Sequence, residues 1–327
     1  VPRVGTALSW LDHLGTVGAR SGSCRGNYKV VPGLYCVGSP GTESPVLVTA
    51  NYKLSFDALR KELAGLDAWI LVSDTRGINV WCAAGKKTFS TEEVAYQVRN
   101  SRLAEIVRHR QLILPQLAAV GVAAGRLKKA CGFTGTFGPV VARDIPAFLR
   151  QDRTADEAMR SVTFGLGERA VLIPVEIFLL WKPLLLTIAF IFLISGISPD
   201  IYSLGAAWQR GSAAAIASLL AVVAGAAFAP LLLPWLPGRQ FWFKGVQTGL
   251  IAGLLAFLLF AGELGAVAGS GLVLWIVAAS SYLAMNFTGS TPFTSISGVS
   301  REMRRGLPLQ IGCTALALVL WISGSFV

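Results

Sequence analysis

The chain has 327 residues, 53% of them hydrophobic and 14% charged, with a net charge of +11 at pH 7. That length admits one large or two ordinary domains. The basic excess comes without a recognisable nucleic-acid-binding motif, so nucleic acid is not an expected partner, and anionic lipid headgroups or an acidic protein are.

Composition divides the chain. Residues 1–169 carry most of the charge and read as a cytoplasmic α/β domain, whereas from Ala170 onward long apolar runs recur and residues 170–327 read as an all-α transmembrane domain. The first residues hold neither an apolar signal region nor a cleavage pattern, and Val1 in place of Met reads as a trimmed start. Five cysteines, Cys24, Cys36, Cys82, Cys131 and Cys313, contain no CxxC pair, and an odd number cannot close a disulfide framework, which fits a reducing cytosol.

Residues 1–45 are rich in Gly, Pro and Ser and read as loop, with a short helix near 7–14 and an edge strand within 32–38. The first clear strand is 46–51, β-branched and bounded by Pro45. Ser55 is the expected cap of the next helix, where Phe56, Leu59 and Leu63 recur at helical spacing and Asp57 would sit in the first turn. A strand over 68–74 follows, continuously apolar as parallel strands covered on both faces are. Strand, helix, strand is the unit of a mainly parallel, Rossmann-like sheet, which places ligand sites beyond the strands' C-terminal ends.

The loop 75–79 leads into Asn79-Val80-Trp81-Cys82-Ala83-Ala84-Gly85-Lys86, expected as a short helical piece separated by 85–89 from a longer helix. Ser90-Thr91-Glu92-Glu93 is a capping-box pattern that starts that longer helix near Thr91, with Val94, Val98, Leu103 and Val107 near one face. His109 reads as a surface residue. A third strand is expected at 111–114, then a loop and a helix from about Ala123. Gly132 to Pro139 reads as a glycine-rich turn before a strand at Val140-Val141, and Asp144 as the cap of a short helix to Leu149. The turn matches neither a P-loop nor a dinucleotide fingerprint. Cys24 and Cys36 read as incidental and Cys131 as structural.

Taken by spacing alone, Cys82 allows two readings. A lone cysteine beside Trp81 and Ala83 is usually core packing. Alternatively, a thiolate aided by a helix N-terminus and by Lys86 or Lys87 is a nucleophile or a single soft metal ligand. No Cys or His lies near enough in sequence for a closed zinc site.

The same eight residues, 79–86, resemble the cap-helix signature of the corrinoid proteins of the microbial mercury-methylation pair. In that family a soluble α/β domain, similar to the cobalamin-binding domain of corrinoid iron-sulfur proteins, precedes a multi-span membrane domain. The resemblance implies cobalamin as cofactor and Cys82 as the lower axial ligand of its cobalt. It also implies that Trp81 and Ala83 shape the helix against the corrin, that Asn79 fixes the turn, and that Lys86 acts on the thiolate or a corrin side chain. Val80, Ala84 and Gly85 complete the motif. Thr49, in the first strand, and Gly135 and Gly138, in the glycine-rich turn, are further candidates for cofactor contact.

In the membrane half, five spans are expected, at 172–194, 212–235, 246–262, 270–287 and 308–326, each near the ~20 residues a bilayer core requires. With residues 1–169 cytoplasmic, Arg239, Lys244, Arg301, Arg304 and Arg305 fall in cytoplasmic loops and Arg210 outside, as the positive-inside rule demands of a multi-pass protein of the cytoplasmic membrane. Gly245, Gly249 and Gly253 suit close helix packing. The absence of paired charges at matching depths weighs against a transporter.

The resemblance implies a corrinoid-dependent methyltransferase that passes methyl from cobalt to inorganic Hg(II). A thiolate beneath the metal would favour release of methyl as a carbanion equivalent, the form Hg(II) accepts. The implied reductant is a ferredoxin-like protein with two 4Fe-4S clusters, since this chain has no Fe-S ligand pattern, and a methylated folate system is the implied methyl source. The competing reading is a non-enzymatic membrane protein whose cytosolic domain senses a ligand or redox state through Cys82.

Overall fold

The structure, a computed structural model, describes residues 1–291, 294 and 296–327. Two compact units divide it, Val1–Thr163 and Phe164–Val327.

In the first unit, α1 spans Trp10–Ser21, later than the 7–14 expected. Ser9 sets its start: the Ser9 hydroxyl accepts from the Asp12 N–H and the Asp12 carboxylate accepts from the Ser9 N–H, a full capping box. After β1 (Gly33–Val37) and β2 (Val46–Ala50), α2 (Lys53–Lys61) begins ahead of Ser55, with Tyr52 at its N-cap and no side-chain cap. Asp57 is not a first-turn dipole partner. It is buried and paired with Lys53 and Arg60.

Then follow β3 (Ala68–Ser73), α3 (Val80–Gly85), α4 (Thr91–Asn100), α5 (Leu103–Ile106), β4 (Gln111–Leu114), α6 (Ala124–Cys131), β5 (Thr134–Phe137), α7 (Ile145–Arg150) and α8 (Glu157–Arg160). Residues 134–137, expected as a turn, are themselves a strand, and Val140-Val141 lie outside any strand. Gly135 permits this: a Cβ there would stand 2.5 Å from Leu114 Cδ1, so glycine lets β5 close on β4 in register Leu112↔Gly135. Asp144 precedes α7 without making a side-chain cap.

The sheet order is β1-β3-β2-β4-β5, with β2 to β5 parallel and β1 antiparallel on β3. Strand alternation divides the core. Val46, Val48 and Ala50 pack with α3, α4 and α6, while Leu47, Ile70 and Ile113 pack with Phe56 and Leu59 of α2 and Phe148 of α7. The chain winds from β2 to β3 on one side and then crosses to β4 on the other. The switch point, where open α/β sheets hold ligands, therefore lies between the C-terminal ends of β2 and β4.

The second unit contains α9 (Leu166–Ala170), α10 (Ile173–Leu179), α11 (Trp181–Ser195), α12 (Leu204–Val222), α13 (Ala229–Leu231), α14 (Phe241–Asn286) and α15 (Ile296–Ser323). Among the described residues, three helical stretches are long and apolar enough to cross a membrane, Leu204–Leu231, Phe241–Gly289 and Ser297–Ser323. A bent pair, Leu166–Leu179 with Trp181–Ser195 at 53°, makes the number up to four. The bend has a cause: Pro183 has no N–H for the Leu179 carbonyl, and α10 ends there.

The expected third and fourth spans, 246–262 and 270–287, lie in the single element α14, which breaks at Gly265 (φ 78°, ψ 161°). Its two arms fold against each other. Ser280 Oγ donates to the Gly245 carbonyl at 2.9 Å and Ser281 Oγ to the Trp242 carbonyl at 2.9 Å. The glycine stripe makes that approach available, since a Cβ at Gly249 would come within 2.9 Å of the Val277 Cα.

Candidate functional site

The short helix α3 presents Cys82. Asn79 is its N-cap, and Asn79 Oδ1 accepts from the Cys82 N–H at 2.9 Å. Val80, Ala83 and Ala84 are buried in the sheet-side core, and the Ala83 carbonyl accepts from the Thr88 and Phe89 N–H groups at 2.9 and 3.1 Å. The remaining face is Trp81 and Cys82, both half-buried, with Gly85 and Lys86 exposed. Cys82 is free, and a Cβ at Gly85, one turn on, would meet no heavy atom within 4 Å. The outward face of the helix is thus a thiol beside bare backbone, open to a flat group.

The position of α3 follows from its neighbours. It rests on β2 and on the 3-10 turn Gln116–Ala118 that follows β4, which sets Cys82's helix at the switch point. Left-handed backbone brackets it: Arg76 (φ 58°) and Gly77 (φ 75°) before, Lys87 (φ 62°) after. Such sharp turns let a six-residue helix stand apart from α4.

The loop before α3 is organised by Asn51, which is 2% exposed at the end of β2. Its Oδ1 accepts from Thr75 N (3.0 Å), Thr75 Oγ1 (2.8 Å) and Gly77 N (2.9 Å), and its Nδ2 donates to Asp74 Oδ1 at 3.0 Å. Thr75 Oγ1 lies 2.6 Å from the Ile78 carbonyl, next to the Asn79 cap. Glu93 closes the loop from the other side. Ser90 accepts from the Glu93 N–H, but the Glu93 carboxylate, expected to complete the capping box, instead accepts from the Asp74 N–H at 2.8 Å.

Residues 79–86 thus share one helix and its caps. Thr49 lies in β2 and, two residues beyond Leu47, projects to the α2 face, away from the face on which Val48 and Ala50 meet α3. The atoms nearest a Cβ at Gly135 belong to Leu114 and Leu127, and at Gly138 to Ile113, Leu114 and Phe148. His109 is half-buried, and its Nε2 is 2.8 Å from the Ser44 carbonyl. Sequence reasoning missed Asn51, and it missed Gly121, where a Cβ would stand 2.2 Å from the Phe89 carbonyl oxygen and 3.0 Å from the Ala84 Cα. An asparagine at a strand's C-terminal end was the available signal for the first; the second rests on a contact across more than thirty residues.

A network of ion pairs joins α1 to α2. Lys53 Nζ bridges Asp12 (2.5 Å) and Asp57 (2.6 Å), while Arg60 reaches Asp12 at 2.8 Å and Asp57 at 2.7 Å, tying α1 to α2. Burial alone would raise the Asp12 carboxyl, but hydrogen bonds from Lys53, Ser9 and Arg60 together hold it well below the usual carboxylate range. Burial pushes the Cys131 thiol up, against a hydrogen bond from the Phe133 backbone, so this cysteine is held protonated.

Among the described residues there is no group of three or more His, Cys, Asp or Glu able to hold a metal ion. A metal at Cys82 would have to arrive with its other ligands already in place, as the metal of a macrocycle does. The single soft donor, the open Gly85 and the half-exposed thiol fit that requirement.

Residues 24–149 match the family described as CO dehydrogenase/acetyl-CoA synthase delta subunit. Among similar proteins are acetyl-CoA decarbonylase/synthase complex subunit gamma of Methanopyrus kandleri, 33% identical over 126 residues, and of Archaeoglobus fulgidus, 29% identical over 126 residues. The corresponding subunit of Methanocaldococcus jannaschii is 31% identical over 125 residues. These alignments cover 38% of this chain and 27%, 26% and 25% of the respective relatives, so the chain spans about a quarter of their length. The matched segment contains the parallel sheet, Asn51, the Cys82 helix and Gly121.

Proposed function

We propose that the first unit binds a corrinoid and that the chain is a membrane-anchored corrinoid-dependent methyltransferase whose acceptor is inorganic Hg(II). The observation that carries the reading is the Cys82 helix: a free thiol on an open helix face, at the switch point of a parallel sheet, in a segment similar to subunits of acetyl-CoA decarbonylase/synthase complexes. When bound, the corrinoid supplies a cobalt that carries a methyl group. Cys82 Sγ is the donor that would hold the metal. Asn79 fixes the first turn of its helix, Val80, Ala83 and Ala84 anchor it in the core, and Trp81, Gly85 and Lys86 border the thiol. Asn51 and Glu93 hold the loop on which the helix stands.

Mercury as acceptor rests on the resemblance of residues 79–86 to the mercury-methylation corrinoid proteins. The same resemblance supplies the partners: a ferredoxin-like reductant with two 4Fe-4S clusters and a methylated folate system as methyl source. The relatives' names place them in a multi-subunit complex, which accords with a chain that works alongside others.

The second unit is the anchor. With each arm of α14, 241–264 and 266–286, counted as a crossing and the bent pair as one, the bundle crosses five times in the cytoplasmic membrane, and the basic loops keep the first unit in the cytoplasm. The test is methyl transfer by the full chain, supplied with a corrinoid bearing labelled methyl and then with Hg(II). Labelled methylmercury from wild type and none from Cys82→Ala is the expected result. Corrinoid retention without methylmercury would remove mercury as acceptor, and failure to retain corrinoid would favour a sensor role for Cys82.

A further inference from the structure

The chain in and after α13 is broken by prolines. Pro230, Pro234 and Pro237 remove backbone donors, and α13 ends at Leu231, which leaves carbonyls without helical partners. Two cations fill the gap. Arg169 Nη1 donates to the Leu231 carbonyl at 2.7 Å, and Lys244 Nζ donates to the carbonyls of Leu233 and, at 3.0 Å, Leu236. Arg169 is 4% exposed and Lys244 9%.

Capping carbonyls accounts for these contacts but not for the charge. Carbonyl dipoles do not neutralise a cation, and burying two of them within one unit is costly without a counter-anion. Together with the exposed Arg239, these cations line a cavity of about 230 Å³ closed by Phe164, Leu233, Pro234 and Phe241. Glu302 reaches the same end, but it accepts from the N–H groups of Phe241 (2.9 Å) and Trp242 (3.1 Å). Among the described residues no carboxylate forms an ion pair with Arg169, Arg239 or Lys244.

The surroundings favour an amphiphile over a free ion. Trp235, 66% exposed, lies under the Arg169 guanidinium with 5.6 Å between Cζ and the ring centre, and Leu232 and Phe243 are also exposed. Exposed aromatic and aliphatic side chains next in sequence to the residues of a basic pocket suit an anionic headgroup with its chains alongside.

We propose that Arg169, Arg239 and Lys244 form a site for the phosphate headgroup of an anionic phospholipid in the leaflet facing the first unit's compartment. The proposal rests on the membrane placement given above and not on the corrinoid reading.

The test uses the full chain, delipidated in mild detergent, with native mass spectrometry to count retained lipid. The probes are phosphatidylglycerol, phosphatidylcholine and inorganic phosphate. Phosphatidylglycerol should be retained in preference to phosphatidylcholine, and Arg239→Gln should weaken that preference by about fivefold. Arg239 is exposed and caps no carbonyl in the bonds above, so the variant leaves the fold intact. Arg150→Gln, an equal change of net charge in the first unit, should leave the preference unchanged. Equal retention of both lipids, or an undiminished preference in Arg239→Gln, would overturn the site. Saturation by inorganic phosphate with no gain from phosphatidylglycerol would make it a free-anion site and overturn it as well. Flotation with neutral and anionic vesicles separates the two levels: no flotation with either removes the membrane placement, whereas flotation with both and no headgroup preference removes only this site.

Discussion

Replacing Asn51 with alanine removes an acceptor that serves three donors, Thr75 N, Thr75 Oγ1 and Gly77 N, and a donor to Asp74. The Thr75 and Gly77 amides are buried. Each stranded donor costs about 1–3 kcal/mol, and the hydroxyl can turn to its remaining partner, the Ile78 carbonyl, so the two stranded amides set the expected loss at about 2–6 kcal/mol. Against a typical total of about 5–15 kcal/mol, the first unit should survive with its loop loosened. Hydrogen exchange on the full chain in detergent reads this directly: peptides covering 74–82 should lose protection while those from α12 and α15 keep theirs. Asn51→Asp should fall between, because it keeps an acceptor but sets a carboxylate against Asp74. Unchanged exchange in 74–82, or a stability loss under about 1 kcal/mol, would refute the claim that Asn51 organises the platform of the Cys82 helix.

Gly121→Val should displace α3 or the loop before α4, since even a Cβ at this position would overlap the Phe89 carbonyl; a loss of about 1–3 kcal/mol in a thermal melt and weaker corrinoid retention are expected, and an unaffected variant would show that the contact is slack. Asp12 gives a pH signature. Its folded pKa is depressed, so its stabilisation is complete above the ordinary carboxylate value of 3.8 and is lost as pH falls below it; Asp12→Asn should flatten the acid limb of a stability-versus-pH curve and lower stability at neutral pH. An acid limb identical in wild type and variant would mean that the ion pairs linking α1 to α2 contribute nothing measurable.

The strands at 46–50, 68–73 and 111–114 were legible because buried parallel strands are continuous apolar runs, and the short helix at Cys82 because glycine and a capping sequence separate it from α4. The Gly245, Gly249 and Gly253 stripe likewise announced close packing, and its partner proved to be the other arm of the same element, folded back at Gly265. What was not legible depends on contacts distant in sequence. Lys53 and Arg60 stand at helical spacing from Asp57, but nothing local to 53–61 shows that Asp12 joins both cations. Glu93 reads as half of a capping box until Asp74 is seen beside it. Gly135 reads as a turn residue until Leu114 is found filling the space its missing side chain leaves. The Cys82 helix was readable as a motif, whereas Asn51 and Gly121, which hold it in place, act from segments distant in sequence and had no motif to give them away.

In the proposed function Cys82 holds a corrinoid through its sulfur. The anaerobic absorption spectrum of the purified full chain, supplied with cobalamin and recorded beside that of Cys82→Ala, tests it most directly. Retained corrinoid whose bands lie at different wavelengths in the two proteins is expected, because removal of a thiolate donor changes the electron density at cobalt. Superimposable spectra, or a folded wild-type chain that retains no corrinoid, would contradict it.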